Sequence, residues 1–158
     1  MKLLVVCLGN ICRSPMAEGW LRDRVAREPL LRNRITIDSA GLGDWHAGQP
    51  PDPRAIRTAA AHGIDISMQR ARMLAPQDFE TFDLILCADD ATLRETRSRM
   101  PAASQGEIER LLQWGGLTEP YDLDDPYTGD LARFERVWTR IDAAGAGIVR
   151  RLRGMLGA

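Results

Sequence analysis

The sequence LLVVCLGNICRSPMAE occupies residues 3–18, close to the start of the 158-residue chain. Its first four residues, Leu3 to Val6, form a continuous apolar run that contains β-branched side chains, which is typical of a buried strand. Ser14 directly precedes Pro15, and this pair is typical of a helix start with Ser14 as the cap. The stretch therefore predicts a strand, a short loop and a helix in direct succession.

The loop of this unit is suited to binding an anion. Successive backbone N–H groups converge beside a helix N-terminus, and the helix dipole favours negative charge there. Gly9 is expected to supply the unusual backbone conformation, and Arg13 adds a planar cation that fits two phosphate oxygens. The same positive field favours a thiolate at Cys7, which is the predicted nucleophile. The predicted phosphate-binding loop comprises Leu8, Gly9, Asn10, Ile11, Cys12, Arg13 and Ser14.

A simpler interpretation takes Cys7 as a buried core cysteine and Arg13 as a solvated helix residue. The spacing argues against it, because the cysteine, arginine and Ser14 stand together between a predicted strand and a predicted helix. No G-x-x-x-x-G-K-[ST] sequence is present, and no G-x-G-x-x-G follows the first strand, so nucleotide-binding loops are unsupported.

The rest of the chain alternates strand and helix patterns. Further strands are predicted at 35–39, 82–87 and 108–112. Helices are predicted from Pro53 to the His62-Gly63 stop, from Asp89 to about Arg97, and over a long closing segment that ends near Arg153. This order predicts one α/β domain over residues 1–158, a twisted parallel sheet of four strands with helices on both faces.

Composition narrows the range of functions. The net charge of −1 argues against a nucleic-acid or membrane-surface partner, since either needs a basic field. The apolar run at the start is too short for a signal peptide, and three cysteines do not make a disulfide framework. Neither histidine has the partners of a metal site. The expected setting is cytoplasmic, with no membrane association and no metal.

The segment from Cys7 to Pro15 resembles the signature of the low-molecular-weight protein-tyrosine phosphatases, at the same near-N-terminal position. The similarity continues through Asp38-Ser39-Ala40-Gly41, Asp44-Trp45, Asp52-Pro53-Arg54-Ala55, His62-Gly63-Ile64, 82–87 and Asp125-Pro126-Tyr127. It implies hydrolysis of phosphotyrosine and small aryl phosphates through a phosphocysteine on Cys7, without a cofactor. It also implies inhibition by phosphate or vanadate and a tyrosine-phosphorylated protein, such as a bacterial tyrosine kinase, as partner.

A phenolate leaves phosphorus more easily when it is protonated, so a general acid is needed opposite the thiolate. Asp122, Asp124 and Asp125 stand beside Pro126 and Tyr127. Without further context, such a cluster is a solvated loop. The Asp-Pro-Tyr match with the family picks Asp125 as the acid, and like-charge repulsion from Asp124 is one way to keep it protonated.

The resemblance also implies supporting roles. Asn10, Ser14 and Ser39 are expected to support the loop by hydrogen bonds, with Ser14 donating to the thiolate. The expected substrate pocket is formed by Ile11, Trp45, His46 and Tyr127. Cys12 is either a redox partner that forms a disulfide with Cys7 or a small apolar residue packed under the loop.

Two positions depart from the family pattern. Gln69, or Met68, occupies the place of a histidine that relatives tie into the loop network. Thr128 stands where some relatives have a second tyrosine, so regulation by phosphorylation of a tyrosine pair is not expected.

Three other functions compete. A thioredoxin-coupled arsenate reductase needs two further cysteines beyond the loop, and only Cys87 follows it. A protein-arginine phosphatase carries threonine at the position of Ile11, and the bulkier isoleucine favours a phenolic substrate. A silent phosphotyrosine-binding module would not need Cys7, Arg13 and Asp125 together.

Overall fold

A four-stranded parallel sheet forms the centre of the computed structural model, which describes residues 1–157. The strands are β1 (Lys2–Cys7), β2 (Thr36–Gly41), β3 (Leu84–Cys87) and β4 (Glu107–Arg110). Their order across the sheet is β2-β1-β3-β4, and every neighbouring pair is parallel. The predicted α/β fold is confirmed.

The central strand β1 is buried on both faces because its side chains alternate between two apolar clusters. Leu3, Val5 and Cys7 belong to one cluster, and Leu4 and Val6 belong to the other. A continuous apolar run is what a strand covered on both sides requires. Cys7 thus lies at the carboxyl end of β1, on the face that the long closing helix covers.

Six helices accompany the sheet in the described part of the chain. They are α1 (Arg13–Ala26), α2 (Pro53–Ala61), α3 (Asp78–Thr81), α4 (Asp90–Arg99), α5 (Leu111–Trp114) and α6 (Leu131–Leu156). As the sequence predicts, Asp89 caps α4, and α2 stops before Gly63, whose φ is 79°. Among residues 1–157, none of the helices combines the length and apolar character needed to cross a membrane.

The start of α1 differs from the prediction. The helix begins at Arg13, with Cys12 in the capping position and no capping hydrogen bond from its side chain. Ser14 lies inside the first turn, and its hydroxyl contacts Cys7 and Asn10 instead. The prediction of Ser14 as the cap is therefore wrong, because this hydroxyl is engaged by Asn10 and by Cys7, the partner that the family resemblance implies.

The fourth strand is shorter than predicted and shifted toward the N-terminus. The prediction placed it at 108–112, whereas β4 ends at Arg110 and Leu111 begins the short helix α5. Three residues of α5 are buried, namely Leu111, Leu112 and Trp114. A short apolar run of this kind fits a buried strand and a buried helical turn equally well, so its sequence does not distinguish them.

Candidate active site

The loop between β1 and α1 lies at the carboxyl edge of the sheet, the usual place for a ligand in an open parallel α/β fold. Asn10, and not Gly9, adopts the left-handed backbone conformation, with φ 59°. The expectation that Gly9 supplies this conformation is therefore wrong. Asparagine tolerates this region better than most residues, since its short side chain forms local hydrogen bonds.

The sulfur of Cys7 is buried, and its Sγ lies 2.9 Å from the Oγ of Ser14. The amide Nδ2 of Asn10 donates to the same Ser14 oxygen at 2.8 Å. Because the hydroxyl accepts from Asn10, its own proton is free to point at the sulfur. Ser14 is thus placed to donate to a thiolate, as the family resemblance implies.

A second layer of hydrogen bonds holds Asn10. Its Nδ2 also donates to Ser39 Oγ at 3.0 Å, and its Oδ1 accepts the backbone N–H of Arg72 at 3.0 Å. Ser39 Oγ in turn donates to Glu18 Oε1 at 2.6 Å. Burial raises the pKa of the Glu18 carboxyl, partly offset by the Ser39 hydrogen bond.

Glu18 belongs to this network although no sequence motif marks it. The available signal was its position four residues after Ser14, which places both side chains on one face of α1.

Arg13 is 3% exposed, and its guanidinium is held by groups that are distant in the sequence. Its Nη1 donates to Asp89 Oδ2 at 2.7 Å and to the Leu123 carbonyl at 2.9 Å. Burial opposes ionisation of Asp89, but hydrogen bonds from Thr92 and Arg13 outweigh it and lower the pKa of the carboxyl. Asp89 therefore both caps α4 and orients Arg13, a second role that the sequence pattern did not indicate.

Asp125 stands across from the loop. Its Oδ2 lies 3.8 Å from Arg13 Nη2, and its Oδ1 accepts the backbone N–H of Tyr127 at 3.2 Å. The neighbouring Asp124 is bound through both oxygens by Arg133, at 2.7 and 2.8 Å. Because this ion pair compensates the charge of Asp124, the idea that like-charge repulsion acts on Asp125 loses its basis.

One cavity of about 170 Å³ unites the predicted residues. Its walls are Cys7, Leu8, Gly9, Ile11, Cys12, Arg13, Trp45, His46, Asp125 and Tyr127. Trp45 and Tyr127 are 65% and 49% exposed at its rim, whereas Cys7 is 3% exposed. The supporting residues Ser14 and Ser39 are buried and do not line the cavity. Leu8, predicted only as a loop residue, is also an exposed apolar wall.

The remaining cysteines are buried free thiols. Cys12 lines the cavity together with Cys7, and burial strongly raises the pKa of its thiol. Burial raises the pKa of Cys87 to about 12, in keeping with a core position at the end of β3. Within residues 1–157, no group of three or more His, Cys, Asp or Glu side chains is arranged to hold a metal ion.

Gln69, and not Met68, turns inward at the position where the family resemblance leads us to expect a histidine. Its Nε2 donates to the Pro15 carbonyl at 3.1 Å, while Met68 is 80% exposed. Gln69 Oε1 is buried and has no hydrogen-bond partner among the described residues. The glutamine thus supports the first turn of α1 directly and does not bond to Asn10 or Ser39.

The geometry combines a sulfur nucleophile, a fixed guanidinium and an accessible carboxyl group around one cavity. These groups can bind a tetrahedral anion and attack its central atom through sulfur. The carboxyl group can then exchange a proton with the leaving group opposite the sulfur.

Comparison with known proteins agrees with this chemistry. A family model described as low molecular weight phosphotyrosine protein phosphatase matches residues 2–155. The chain is 40% identical over 153 residues to a probable low molecular weight protein-tyrosine-phosphatase, EpsP of Ralstonia nicotianae, with 97% of each chain covered. The chain therefore belongs to the low molecular weight protein-tyrosine phosphatases, which are hydrolases.

Solved structures give the same fold. A protein tyrosine phosphatase from Entamoeba histolytica, solved with Hepes in the active site, aligns with a TM-score of 0.90, 31% identity and 98% coverage of each chain. The Drosophila arginine phosphatase DARP aligns with a TM-score of 0.87 and 30% identity, covering 97% of this chain and 98% of that chain.

Proposed function

We propose that this phosphatase works through Cys7 as nucleophile, Arg13 as phosphate-binding cation and Asp125 as general acid and base. The observation that carries the proposal is the single cavity that all three residues line. Arg13 and the loop N–H groups would hold the three non-bridging phosphate oxygens. Most of the rate gain is then expected from positioning and from charge stabilisation.

In the first step, Cys7 Sγ forms a bond to phosphorus and the bond from phosphorus to the phenolic oxygen breaks. The proton of Asp125 passes to the departing oxygen, which leaves as a neutral phenol. In the second step, the Asp125 carboxylate accepts a proton from water, and the water oxygen attacks the phosphocysteine. The S–P bond breaks, inorganic phosphate forms, and the thiolate returns with a hydrogen bond from Ser14.

The proposed substrate pocket is the outer part of the same cavity, formed by Ile11, Trp45, His46 and Tyr127. The exposed rings of Trp45 and Tyr127 support it, because an aromatic substrate would cover part of their apolar surface. The nearly buried Ile11 gives the wall an apolar side chain beside Cys7. These features favour a phenolic phosphate over a phosphorylated guanidinium.

The proposed partner is a tyrosine-phosphorylated protein in the cytoplasm, with a bacterial tyrosine kinase as the specific candidate. Three free thiols support a reducing setting. Phosphate and vanadate are proposed as inhibitors. The Hepes in the Entamoeba structure carries a sulfonate, a tetrahedral anion of related shape, which supports this proposal.

Cys7→Ser and Asp125→Asn test the assignment with a phosphotyrosine peptide and a matched phosphoarginine peptide. Cys7→Ser is expected to lose turnover and to keep phosphate binding, measured by isothermal titration. Cys87→Ala is the matched control, since this thiol lies outside the cavity, and should stay active. Full activity of Cys7→Ser would contradict Cys7 as the nucleophile. Faster release of phosphate from the phosphoarginine peptide than from the phosphotyrosine peptide would contradict the proposed substrate class.

A further inference from the structure

The segment that carries Asp125 lies between α5 and α6 and has no helix or strand of its own. Two hydrogen bonds between backbone groups help to hold it: Leu123 N–H donates to the Ala88 carbonyl at 2.9 Å, and Gly129 N–H donates to the Pro126 carbonyl at 2.8 Å. Backbone groups outside helices and strands take hydrogen bonds from side chains or water instead of from a regular ladder. The position of Asp125 therefore rests on groups outside the segment.

Arg54 of α2 supplies such contacts on the C-terminal side of Asp125. Its Nη1 donates to the Gly129 carbonyl at 2.6 Å, and its Nη2 donates to the Tyr127 carbonyl at 2.8 Å. One planar guanidinium thereby binds two carbonyls that lie two and four residues after Asp125. This arrangement restricts the segment more strongly than one isolated hydrogen bond.

The other edge of the same guanidinium is fixed by Asp52. Arg54 Nε donates to Asp52 Oδ1 at 3.0 Å, and Arg54 Nη2 donates to Asp52 Oδ2 at 2.9 Å. Such two-point pairs combine charge with a defined orientation. Burial opposes ionisation of Asp52, but the hydrogen bonds from Arg54 outweigh it and lower the pKa of this carboxyl.

Asp52 connects this pair to the loop of the nucleophile. Its backbone N–H donates to the Ile11 carbonyl at 2.8 Å, inside the phosphate-binding loop. The Arg54 guanidinium also lies 4.6 Å from the ring centre of Phe134, a fully buried residue of α6. The contacts therefore run without a gap from the Cys7 loop, through Asp52 and Arg54, to the Asp125 segment.

We propose that Arg54 is a positioning residue for the reaction, because it fixes the Asp125 segment relative to the Cys7 loop. This inference rests on the proposed role of Asp125 as general acid. Arg54 does not line the cavity, so any effect on the reaction passes through the groups it holds. Its one contact with the predicted substrate pocket is Tyr127, through the carbonyl and with the guanidinium 5.9 Å from the ring centre. A misplacement of a reacting group by about 1 Å can lower a rate about 100-fold. Loss of the Arg54 hydrogen bonds to the Asp125 segment should therefore weaken proton transfer to the leaving group.

The test compares aryl phosphates whose phenols differ in acidity. Arg54→Met removes the guanidinium with its hydrogen bonds and keeps most of the side-chain volume. Arg54→Lys keeps the positive charge but cannot bind Asp52 and the two carbonyls at once. For dinitrophenyl phosphate, which needs little protonation, kcat/KM should change less than about 2-fold. For phenyl phosphate it should fall about 10-fold or more, because a general acid contributes about 10²–10⁴-fold. Arg57→Met, at an exposed arginine of the same helix, is the matched control and should match the parent protein.

Inhibition by inorganic phosphate should stay unchanged in Arg54→Met, since this variant leaves Arg13 in place. Adding Arg54→Met to Asp125→Asn should cause no further loss of kcat/KM, because the two residues act as one unit. A merely structural role would lower the rates of both substrates equally and add to the Asp125→Asn effect. Should Arg54→Met fail to fold by circular dichroism, Arg54→Lys decides by the same comparison.

The two hypotheses fail in different ways. If Asp125→Asn lowers kcat/KM equally for phenyl phosphate and dinitrophenyl phosphate, Asp125 is not the general acid. If Asp125→Asn lowers it more for phenyl phosphate and neither folded Arg54 variant does, the positioning role is overturned while the proposed function stands.

Discussion

The Oγ of Ser14 lies 2.9 Å from the Sγ of Cys7 and 2.8 Å from the Nδ2 of Asn10. One hydroxyl thus accepts from the amide and is placed to donate to the sulfur. Of the two roles predicted for Ser14, the geometry fits the donor to the nucleophile and not the helix cap.

Ser14→Ala removes this donor and is expected to slow alkylation of Cys7 by iodoacetate at mildly acidic pH about 10-fold. A hydrogen bond to a charged group contributes about 1.5–3 kcal/mol, and about 1.4 kcal/mol corresponds to a factor of ten. The measurement is the rate of irreversible inactivation as a function of pH. Equal rates for Ser14→Ala and the parent protein would show that the hydroxyl does not stabilise the thiolate.

Asn10 combines a left-handed backbone with three side-chain hydrogen bonds, and two variants separate these contributions. Asn10→Gly keeps the backbone without strain and loses the hydrogen bonds, whereas Asn10→Ala loses both. Asn10→Ala should therefore unfold in urea with a free energy about 1 kcal/mol lower than Asn10→Gly. If alanine proves as stable as glycine, the left-handed conformation carries no cost at this position.

The ion pair of Asp89 with Arg13 predicts a pH-dependent stability. The folded-state pKa of Asp89 lies below its value in the unfolded chain, so the pair stabilises the fold above a pH of about 4. That stability is lost as the pH falls through the lower folded-state pKa. Asp89→Asn should lower the free energy of unfolding at neutral pH and flatten its dependence below a pH of about 4. Urea titrations over this range check the prediction, and parallel curves would contradict it.

Asp124 is paired with Arg133, which predicts that its charge has little influence on Asp125. A general acid must be protonated, so activity declines at high pH. Asp124→Asn together with Arg133→Gln removes both charges of the pair and should leave the pH of this decline unchanged in kcat/KM for phenyl phosphate. Asp124→Asn alone would leave the Arg133 charge unbalanced near Asp125. If the decline in activity moved to lower pH, Asp124 would be shown to keep Asp125 protonated through like-charge repulsion.

Cys12 shares the cavity with Cys7, and peroxide treatment tests whether it protects the nucleophile. Oxidation of the Cys7 thiolate by hydrogen peroxide gives a sulfenic acid, and attack by Cys12 would release water and form a disulfide. Activity should then return on addition of dithiothreitol in the parent protein and return far less in Cys12→Ser. Equal recovery would mean that Cys12 only packs under the loop.

The sequence predicts the four-stranded parallel sheet, the position of the loop and most of the residues that line the cavity. Cys7, Arg13 and Asp125 can be selected from the sequence because a local pattern or a family motif marks each of them, and all three line the cavity. The partners that hold them cannot be selected in this way, since Asp89 follows Arg13 by 76 residues and nothing near either residue signals the contact. Gly9 and Asn10 show a related limit, because adjacent turn residues have similar preferences and only the folded loop decides which one takes the left-handed backbone.

The contrast between a 3% exposed Cys7 and a 65% exposed Trp45 has a consequence for substrate length. We expect the cavity to select substrates by length, because a phosphate can reach the sulfur only when its carrier spans the distance from Trp45 at the rim to Cys7. A tyrosine ring provides that reach, whereas the short side chains of phosphoserine and phosphothreonine bring the peptide backbone against the rim first. We therefore expect the length of the phosphorylated side chain to limit which proteins react, whatever residues flank the phosphorylated position.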